Sequence, residues 1–202
     1  MSFLLDNCTF SPLDENVLNI CLPFSCGDGE HERDLNDFFI NDSCNYSKQL
    51  LGKSYCFRLD ENPEIIVCAF TVSNDSIKTN EITKPLRNKL ARAVPQPKRM
   101  RRYPAVLIGR LGVNVKFPDK GIGTALLEFI KYWFIHPENK TGCRYIVVDS
   151  YNEAHPMNFY TKNGFDFFFK TEEEEATETG FSADTHLNTR LMYFDLIKLR
   201  DL

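Results

Sequence analysis

The residues best suited to chemistry are Pro118-Asp119-Lys120-Gly121-Ile122-Gly123-Thr124 and, further along, Tyr160. The first group stands between an apolar run and a helical pattern. At a helix start several N–H groups lack an intrahelical acceptor, and the dipole adds partial positive charge. Glycines let an anion approach the backbone closely. Lys116 and Lys120 add full charges. A diphosphate suits such a loop. A plain tight turn has the same spelling, because Gly-x-Gly alone is a weak signal. No Gly-Lys-Ser/Thr follows a four-residue gap, and the spacing is not that of a dinucleotide fingerprint. Tyr160 carries a phenol with an ordinary pKa of about 10, so it is protonated at neutral pH and can give a proton away. Its competing reading is a core tyrosine packed beside Phe159. Asp149, Glu153 and His155 lie nearby in sequence as candidate bases, but each reads first as a structural or solvated group.

The surrounding pattern supplies elements to position these residues. "GEHERDLNDFFIND" (29–42) reads as a helix with Leu35, Phe38 and Phe39 on one face. "SYCFRLD" (54–60) and "EIIVCAFTVS" (64–73) read as strands joined by a turn at Glu61-Asn62-Pro63. A short helix is expected within 78–98, broken by Pro95 and Pro97. "AVLIGRLGVNV" (105–115) is a long strand with two internal glycines, which suggests a bulge or close backbone approach. Ile122, Ala125, Leu126, Phe129, Ile130 and Trp133 recur at helical spacing and end before Pro137. "RYIVVDSY" (144–151) is continuously apolar over its centre, as a buried strand is. A short helix (156–163) stops at Gly164, the residue type of a left-handed cap. "FDFFF" (165–169) and "RLMYFDLIKL" (190–199) complete the strands, with an acidic loop between them. This order predicts a mixed sheet covered by helices.

Composition bounds the rest. The 202 residues are 43% hydrophobic, enough for one substantial core and a single domain. Asp6 and Asn7 interrupt the first apolar residues, so no secretory leader is expected. No run approaches the roughly 18–20 apolar residues of a membrane span, so a cytoplasmic protein is expected, with no membrane partner. The seven cysteines include no Cys-x-x-Cys pair, and the four histidines have no ligand spacing. Reduced structural thiols and no metal are therefore expected, with a reactive cysteine as the alternative. Net charge is −4, but Lys84–Arg102 holds eight basic residues and no acidic one, while Thr171–Thr185 holds six acidic residues and no basic one.

The sequences "LIGRLGVNVKFPDKGIGTALLEFI", "RYIVVDSY" and "NFYTKNGFDFF", in this order and with four residues from Tyr160 to Gly164, resemble the GNAT acetyltransferase superfamily over roughly residues 50–198. The resemblance implies an α/β (α+β) fold with a mixed central sheet of about six or seven strands flanked by helices. It implies one domain over 1–202, with a core at about 50–198 and an N-terminal helical region at 1–50. Acetyl-CoA would be the cosubstrate, with no metal. Its diphosphate would lie on Asp119, Lys120, Gly121, Ile122, Gly123 and Thr124. Its pantetheine arm would lie like an extra strand between 105–115 and 144–151, meeting Val113, Val115 and Asn152. The Val113 N–H would hold the acetyl oxygen as it becomes an oxyanion. A primary amine would attack directly in a ternary complex, and Tyr160 would protonate the departing thiolate. Two positions depart from the family pattern. Pro118 replaces the usual Arg or Gln and has no N–H, and Glu153 stands where Asn is common, with Asn152 one place early.

The N-terminal half narrows the resemblance. "FSCG" (24–27), "LNDFF" (35–39) and "RRYPAVLIGRLGV" (101–113) resemble the toxin-type GNAT branch. That branch acetylates the α-amine of aminoacyl-tRNA and pairs with a ribbon-helix-helix antitoxin. The basic segment 84–102 could then meet tRNA phosphates, or be a solvated helix face. The glutamates at 172–175 instead suit a polyamine, a cationic small molecule or a basic peptide. A homodimer and an antitoxin both stand as candidate partners. A non-catalytic acyl-CoA-binding or partner-binding module on the same scaffold is the reading from another class.

Overall fold

The computed structural model describes residues 2–80, 82–91, 94 and 101–200. In chain order its elements are α1 (Phe3–Asn7), β1 (Cys8–Pro12), α2 (Glu15–Ile20), α3 (Glu30–Asp37), α4 (Ser43–Lys48), β2 (Lys53–Leu59) and β3 (Ile66–Lys78). They continue with α5 (Lys84–Ala91), β4 (Arg102–Val113), α6 (Ile122–Ile135), β5 (Tyr145–Tyr151), α7 (Ala154–Lys162), β6 (Asp166–Phe167), α8 (Glu172–Glu178) and β7 (Thr189–Asp195). A π-helical turn, Phe38–Asp42, joins α3 to α4. The strands form one seven-stranded sheet in the order β1-β2-β3-β4-β5-β7-β6. β4 and β5 run parallel, whereas the β1–β2, β2–β3, β5–β7 and β6–β7 pairs are antiparallel. The sheet is therefore mixed.

The chain folds as two compact units. The first comprises the residues up to Ser73 together with Ile108–Trp133. Its strands β1 and β2 pair from Cys8 opposite Leu59 to Pro12 opposite Tyr55. The stretch before residue 20, which has no clear pattern in sequence, thus supplies an edge strand as well as helices. Ile122, Leu126, Leu127 and Ile130 of α6 are all buried. Phe129 and Trp133, on the predicted face, meet an aromatic layer from the sheet. Phe10 lies 4.8 Å from Phe129, and Tyr55 lies 4.8 Å from Trp133. A second cluster packs Phe24, Phe38 and Phe39 with Leu13, Val17, Cys56, Ile66 and Ala69. Each fully buried side chain of this size contributes about 1.5–3 kcal/mol of transfer free energy.

The second unit comprises Asn74–Leu107 and the residues from Phe134 onward. Its core joins Leu86 and Leu90 of α5 to Tyr103, Tyr145, Val147, Phe168, Phe169 and Tyr193. β5 pairs with β7 along its whole length, from Tyr145 opposite Asp195 to Tyr151 opposite Thr189. The Arg144 guanidinium closes the end of this ladder on the Asp195 carboxylate, with N–O distances of 2.6 and 3.0 Å.

The acidic segment is not a loop. Thr171 caps α8 by accepting from the Glu174 amide at 3.2 Å, and the Glu174 carboxylate reaches back to the Lys170 amide at 2.8 Å. This is close to a capping box, and it places four glutamates on the positive end of a helix. Two of them are spent internally. Glu175 is buried and accepts from Arg190 Nε at 2.6 Å and from the Leu191 amide at 2.7 Å. Glu172 accepts from the Leu187 amide at 2.7 Å and from Asn152 at 2.9 Å, and these bonds hold its pKa below the usual carboxylate range. Only part of the expected acidic cluster therefore faces solvent.

All seven thiols are free. Burial is the first cause of an upward pKa shift in every one, to about 11 for Cys8, Cys56 and Cys143 and to about 12 for Cys26.

Removing one partner of a buried ion pair leaves an uncompensated charge. Arg190→Leu is therefore expected to lower unfolding free energy by about 3–5 kcal/mol in urea denaturation. The exposed Glu173→Gln should change it by less than about 0.5 kcal/mol. Equal effects would show that Glu175 draws no special support from Arg190.

Candidate active site

The phosphate-type loop begins where β4 ends. Asn114 is 4% exposed and takes over hydrogen bonding from the strand. Its amide donates to the Val67 carbonyl at 2.9 Å, and its side chain donates to the Ile66 carbonyl at 2.8 Å. Its side-chain oxygen accepts from the Lys116 amide at 3.0 Å, and its carbonyl accepts from the Phe117 amide at 3.0 Å. One buried side chain thus anchors the loop to β3 and turns the chain outward. Sequence reasoning missed this residue. Its one signal is an Asn inside an apolar run, a residue type that strands disfavour.

The loop itself uses two left-handed residues, Asp119 at φ 56° and Gly121 at φ 62°. A Cβ at Gly121 would meet nothing within 4 Å, so glycine serves the backbone conformation there rather than crowding. The Gly121 carbonyl accepts from the Ala125 amide at 3.0 Å, the first turn-closing bond of α6. The preceding loop residues Pro118, Asp119 and Lys120 are exposed, as are Gly121 and Thr124. The Lys120 ammonium lies 4.0 Å from the centre of the Phe3 ring, a cation–π contact that ties α1 to the loop. Lys116 is exposed.

The two valines expected on the substrate edge differ. The Val115 amide donates to the Ser25 carbonyl at 2.8 Å, so that donor is already engaged. Val113 makes a backbone hydrogen bond to the Cys26 thiol, which opposes the upward push of burial on that group. β4 pairs with β5 through Ala105, Val106 and Leu107, opposite Tyr145, Ile146 and Val147. β4 itself runs on to Val113, and β5 runs on to Tyr151.

Tyr160 lies in the second unit, in the last turn of α7. That helix ends in a Schellman motif. The Phe165 amide donates to the Tyr160 carbonyl at 3.1 Å, and the Gly164 amide donates to the Thr161 carbonyl at 2.9 Å. Gly164 takes φ 81°, and a Cβ there would stand 3.2 Å from the Phe194 ring. The motif brings Phe165 onto Tyr160, with ring centroids 5.3 Å apart, while Phe159 lies 5.2 Å away on the same helix. The four-residue step from Tyr160 to Gly164 is therefore the spacing of this cap. Burial pushes the Tyr160 phenol up to about 12.

The remaining expected residues are placed as follows. Asn152 spends its side-chain amide on Glu172 at 2.9 Å and on the Leu187 carbonyl at 2.8 Å. Through these bonds it braces the segment before β7. Glu153 stands at the N-terminal end of α7, and His155 is exposed. Asp149 stands on β5 with its pKa raised by burial and by the carboxylates of Asp75 and Glu175. Of the basic segment, Lys84 and Arg87 are exposed on α5, and Lys89 pairs with Asp166 at 3.1 Å. Arg92, Lys98 and Arg99 lie outside the described residues. Among the described residues, no group of three or more His, Cys, Asp or Glu could hold a metal, and no helix is long and apolar enough to cross a membrane.

No family model matches the chain, and no curated protein matches it. Solved structures do. A tyrosine-to-phenylalanine mutant of KacT aligns with a TM-score of 0.71 at 14% identity, covering 97% of this chain and 99% of that one. AtaT complexed with acetyl-methionyl-tRNAfMet gives 0.67 at 16% identity, covering 96% and 98%. An AtaT mutant toxin bound to the C-terminus of the antitoxin AtaR and acetyl-CoA gives 0.65 at 17% identity, covering 96% and 97%. At these identities the likeness is one of architecture, and it extends over nearly the whole of each chain. A seven-stranded mixed sheet flanked by helices, with a glycine loop opening α6 and a capped tyrosine closing α7, is the fold this chain shares with the KacT and AtaT structures.

Proposed function

We propose that this chain is an acetyl-CoA-dependent N-acetyltransferase acting on a primary amine in the cytoplasm. The observation that carries the reading is the exposed start of α6. Asp119 and Gly121 turn the chain at the end of the loop that leaves β4, just before the first-turn amides of α6. Unpaired first-turn amides suit a diphosphate, and one solved neighbour is described as bound to acetyl-CoA. In this reading Asp119, Lys120, Gly121, Ile122, Gly123 and Thr124 hold the diphosphate. Val113 supplies the amide for the acetyl oxygen, exchanging a weak sulfur acceptor for a stronger one. The loss of a loop donor at Pro118 is limited to one N–H.

The neutral amine attacks the thioester carbonyl, the carbon–sulfur bond breaks, a water takes the proton that the nitrogen loses, and the thiolate takes a proton. Tyr160 is the proton donor in this scheme. Its phenol stands at about 12, so it stays protonated across the working pH range.

For the acceptor, the α-amine of an aminoacyl-tRNA is the better-supported choice. A solved neighbour is complexed with an acetylated aminoacyl-tRNA. The glutamates that would favour a polyamine, a cationic small molecule or a basic peptide are partly spent on Arg190, Asn152 and backbone amides. Chemistry agrees with this choice. An α-amine of pKa about 7.7 is about one-sixth neutral at pH 7, whereas a lysine-type amine is neutral in well under a thousandth of molecules. The α-amine therefore needs no strong base, and Asp149 and His155 need not serve as one. An antitoxin partner, as in the AtaR-bound neighbour, and a homodimer belong to the same proposal.

A non-catalytic acyl-CoA-binding module is the second reading, favoured by Pro118 at the loop's first position. Acetyl-CoA raising the melting temperature without thiol release on any amine would establish it.

Three outcomes are expected. Tyr160→Phe should lower kcat by about 10- to 1,000-fold with little change in acetyl-CoA affinity. An unimpaired variant would remove Tyr160 from the proton-donor role. With an aminoacyl-tRNA acceptor, kcat/KM should rise with pH through about 7.7 and then level off. The phenol is lost only as pH rises through about 12, so it adds no falling limb below about pH 10. A continued rise toward about pH 10 would indicate a lysine-type acceptor. Binding of aminoacyl-tRNA should weaken steeply as salt is raised from about 50 to 200 mM, by an order of magnitude or more, and a flat response would exclude a polyanion.

A further inference from the structure

The segment Phe24–Gly27 and the residues after it in α3 carry two sequence features that the proposed reaction leaves unused. The structure joins them. The side-chain oxygen of Asn36 accepts from the Cys26 amide at 2.7 Å, and its side-chain nitrogen donates to the Gly27 carbonyl at 2.9 Å. Both polar ends of one amide are thus used on consecutive residues. The Ser25 hydroxyl accepts from the Gly27 amide at 3.3 Å and tightens the turn. The Ser25 carbonyl accepts from the Val115 amide at 2.8 Å. The clamp therefore reaches from α3 across this short strap to Val115, two residues past the end of β4.

Gly112 records how closely the strap lies on the strand. A Cβ there would stand 2.5 Å from Cys26 Sγ and 3.3 Å from ring atoms of both Phe24 and Phe39. The two rings meet edge to face at 5.6 Å and fix the strap from behind. Gly112 has no left-handed φ, so its glycine serves close approach rather than turn geometry.

We propose that Asn36 is a positioning residue for acyl-CoA binding, holding the Ser25–Gly27 strap against β4 so that the Val113–Val115 backbone is set before the substrate arrives. This rests on the acetyltransferase reading above. Preset geometry lowers the ordering cost of binding. The strap takes both amides, Val115 through the Ser25 carbonyl and Val113 through the Cys26 thiol, and the thiol is the weaker acceptor, so the Val113 amide is the one an acetyl oxygen can take over. An Asp at this position keeps the acceptor and loses the donor, turning an oxygen toward the Gly27 carbonyl. A Leu loses both.

The test is steady-state kinetics and calorimetric titration with acetyl-CoA on the full chain. Asn36→Leu and Asn36→Asp are expected to raise KM and Kd for acetyl-CoA by roughly tenfold, the size of one or two net hydrogen bonds. Turnover at saturating acetyl-CoA should change less than KM does. Gly112→Ala should act in the same direction, and the double variant Gly112→Ala/Cys26→Ala should recover affinity, because it removes the sulfur that the new methyl group would strike. A purely structural role would lower the melting temperature and leave the affinity of the folded protein unchanged. Should Asn36→Leu fail to fold, the isosteric Asn36→Asp decides the matter. Wild-type affinity in folded Asn36 variants, or a Gly112→Ala defect that Cys26→Ala does not relieve, overturns the proposal. If the wild-type chain itself gives no heat with acetyl-CoA, the enzymatic reading fails and this inference fails with it. If only the variants match wild type, the inference alone fails.

Discussion

A strand that leaves its ladder must give its last amides and carbonyls new partners, or a buried polar group goes unpaired at a cost of about 1–3 kcal/mol. Asn114 meets that constraint where β4 ends. Its backbone and side chain together hold Ile66, Val67, Lys116 and Phe117. The outward turn after β4 starts from this one buried amide, and the left-handed Asp119 and Gly121 then lead the chain into α6. Ser25 supplies the next partner along, on Val115. The end of the strand is therefore fixed from two sides, by β3 and by the strap before α3.

The two helix ends that matter use opposite devices. α6 begins at an exposed glycine turn, where first-turn amides have no intrahelical acceptor. α7 ends with its carbonyls closed by Gly164 and Phe165, so its last turn is rigid and Tyr160 is held between two rings. One terminus is exposed at Gly121 and Thr124, and the other is closed by a glycine cap beside a partly buried tyrosine. α8 shows a third use of a helix end. There the positive terminus gathers glutamates, and a buried arginine and an asparagine take up two of their carboxylates.

Much of this was legible in residue types and spacing. The apolar stripe of α6, the buried run of β5 and the glycine cap after α7 each follow from local rules, and each lies where expected. Tyr160-x-x-x-Gly164-Phe165 could be read as a motif because the cap's hydrogen bonds are local. The Thr171-x-x-Glu174 pattern was also readable as a helix start, but the dense charge suggested a loop. What favours a helix there is the Arg190 partner, fifteen residues away in sequence. Strand β1 was hidden because its five residues gain their pattern only against β2. β3 runs five residues past its predicted end, to Lys78. In the candidate site, the glycine turn before α6 was visible, but its supports were not. Asn36, Asn114 and the engagement of Val115 with Ser25 depend on contacts that no periodicity encodes.

The seven thiols have a practical chemical consequence. With pKa values at about 11 or above for Cys8, Cys26, Cys56 and Cys143, only about one group in a thousand or fewer is ionised at about pH 8. Such sulfurs react sluggishly with aromatic disulfide dyes, whereas coenzyme A released into solution reacts at once. Cys8, Cys26, Cys56 and Cys143 are thus slow toward such a reagent in the folded protein, and a rapid burst of colour from them would report unfolding.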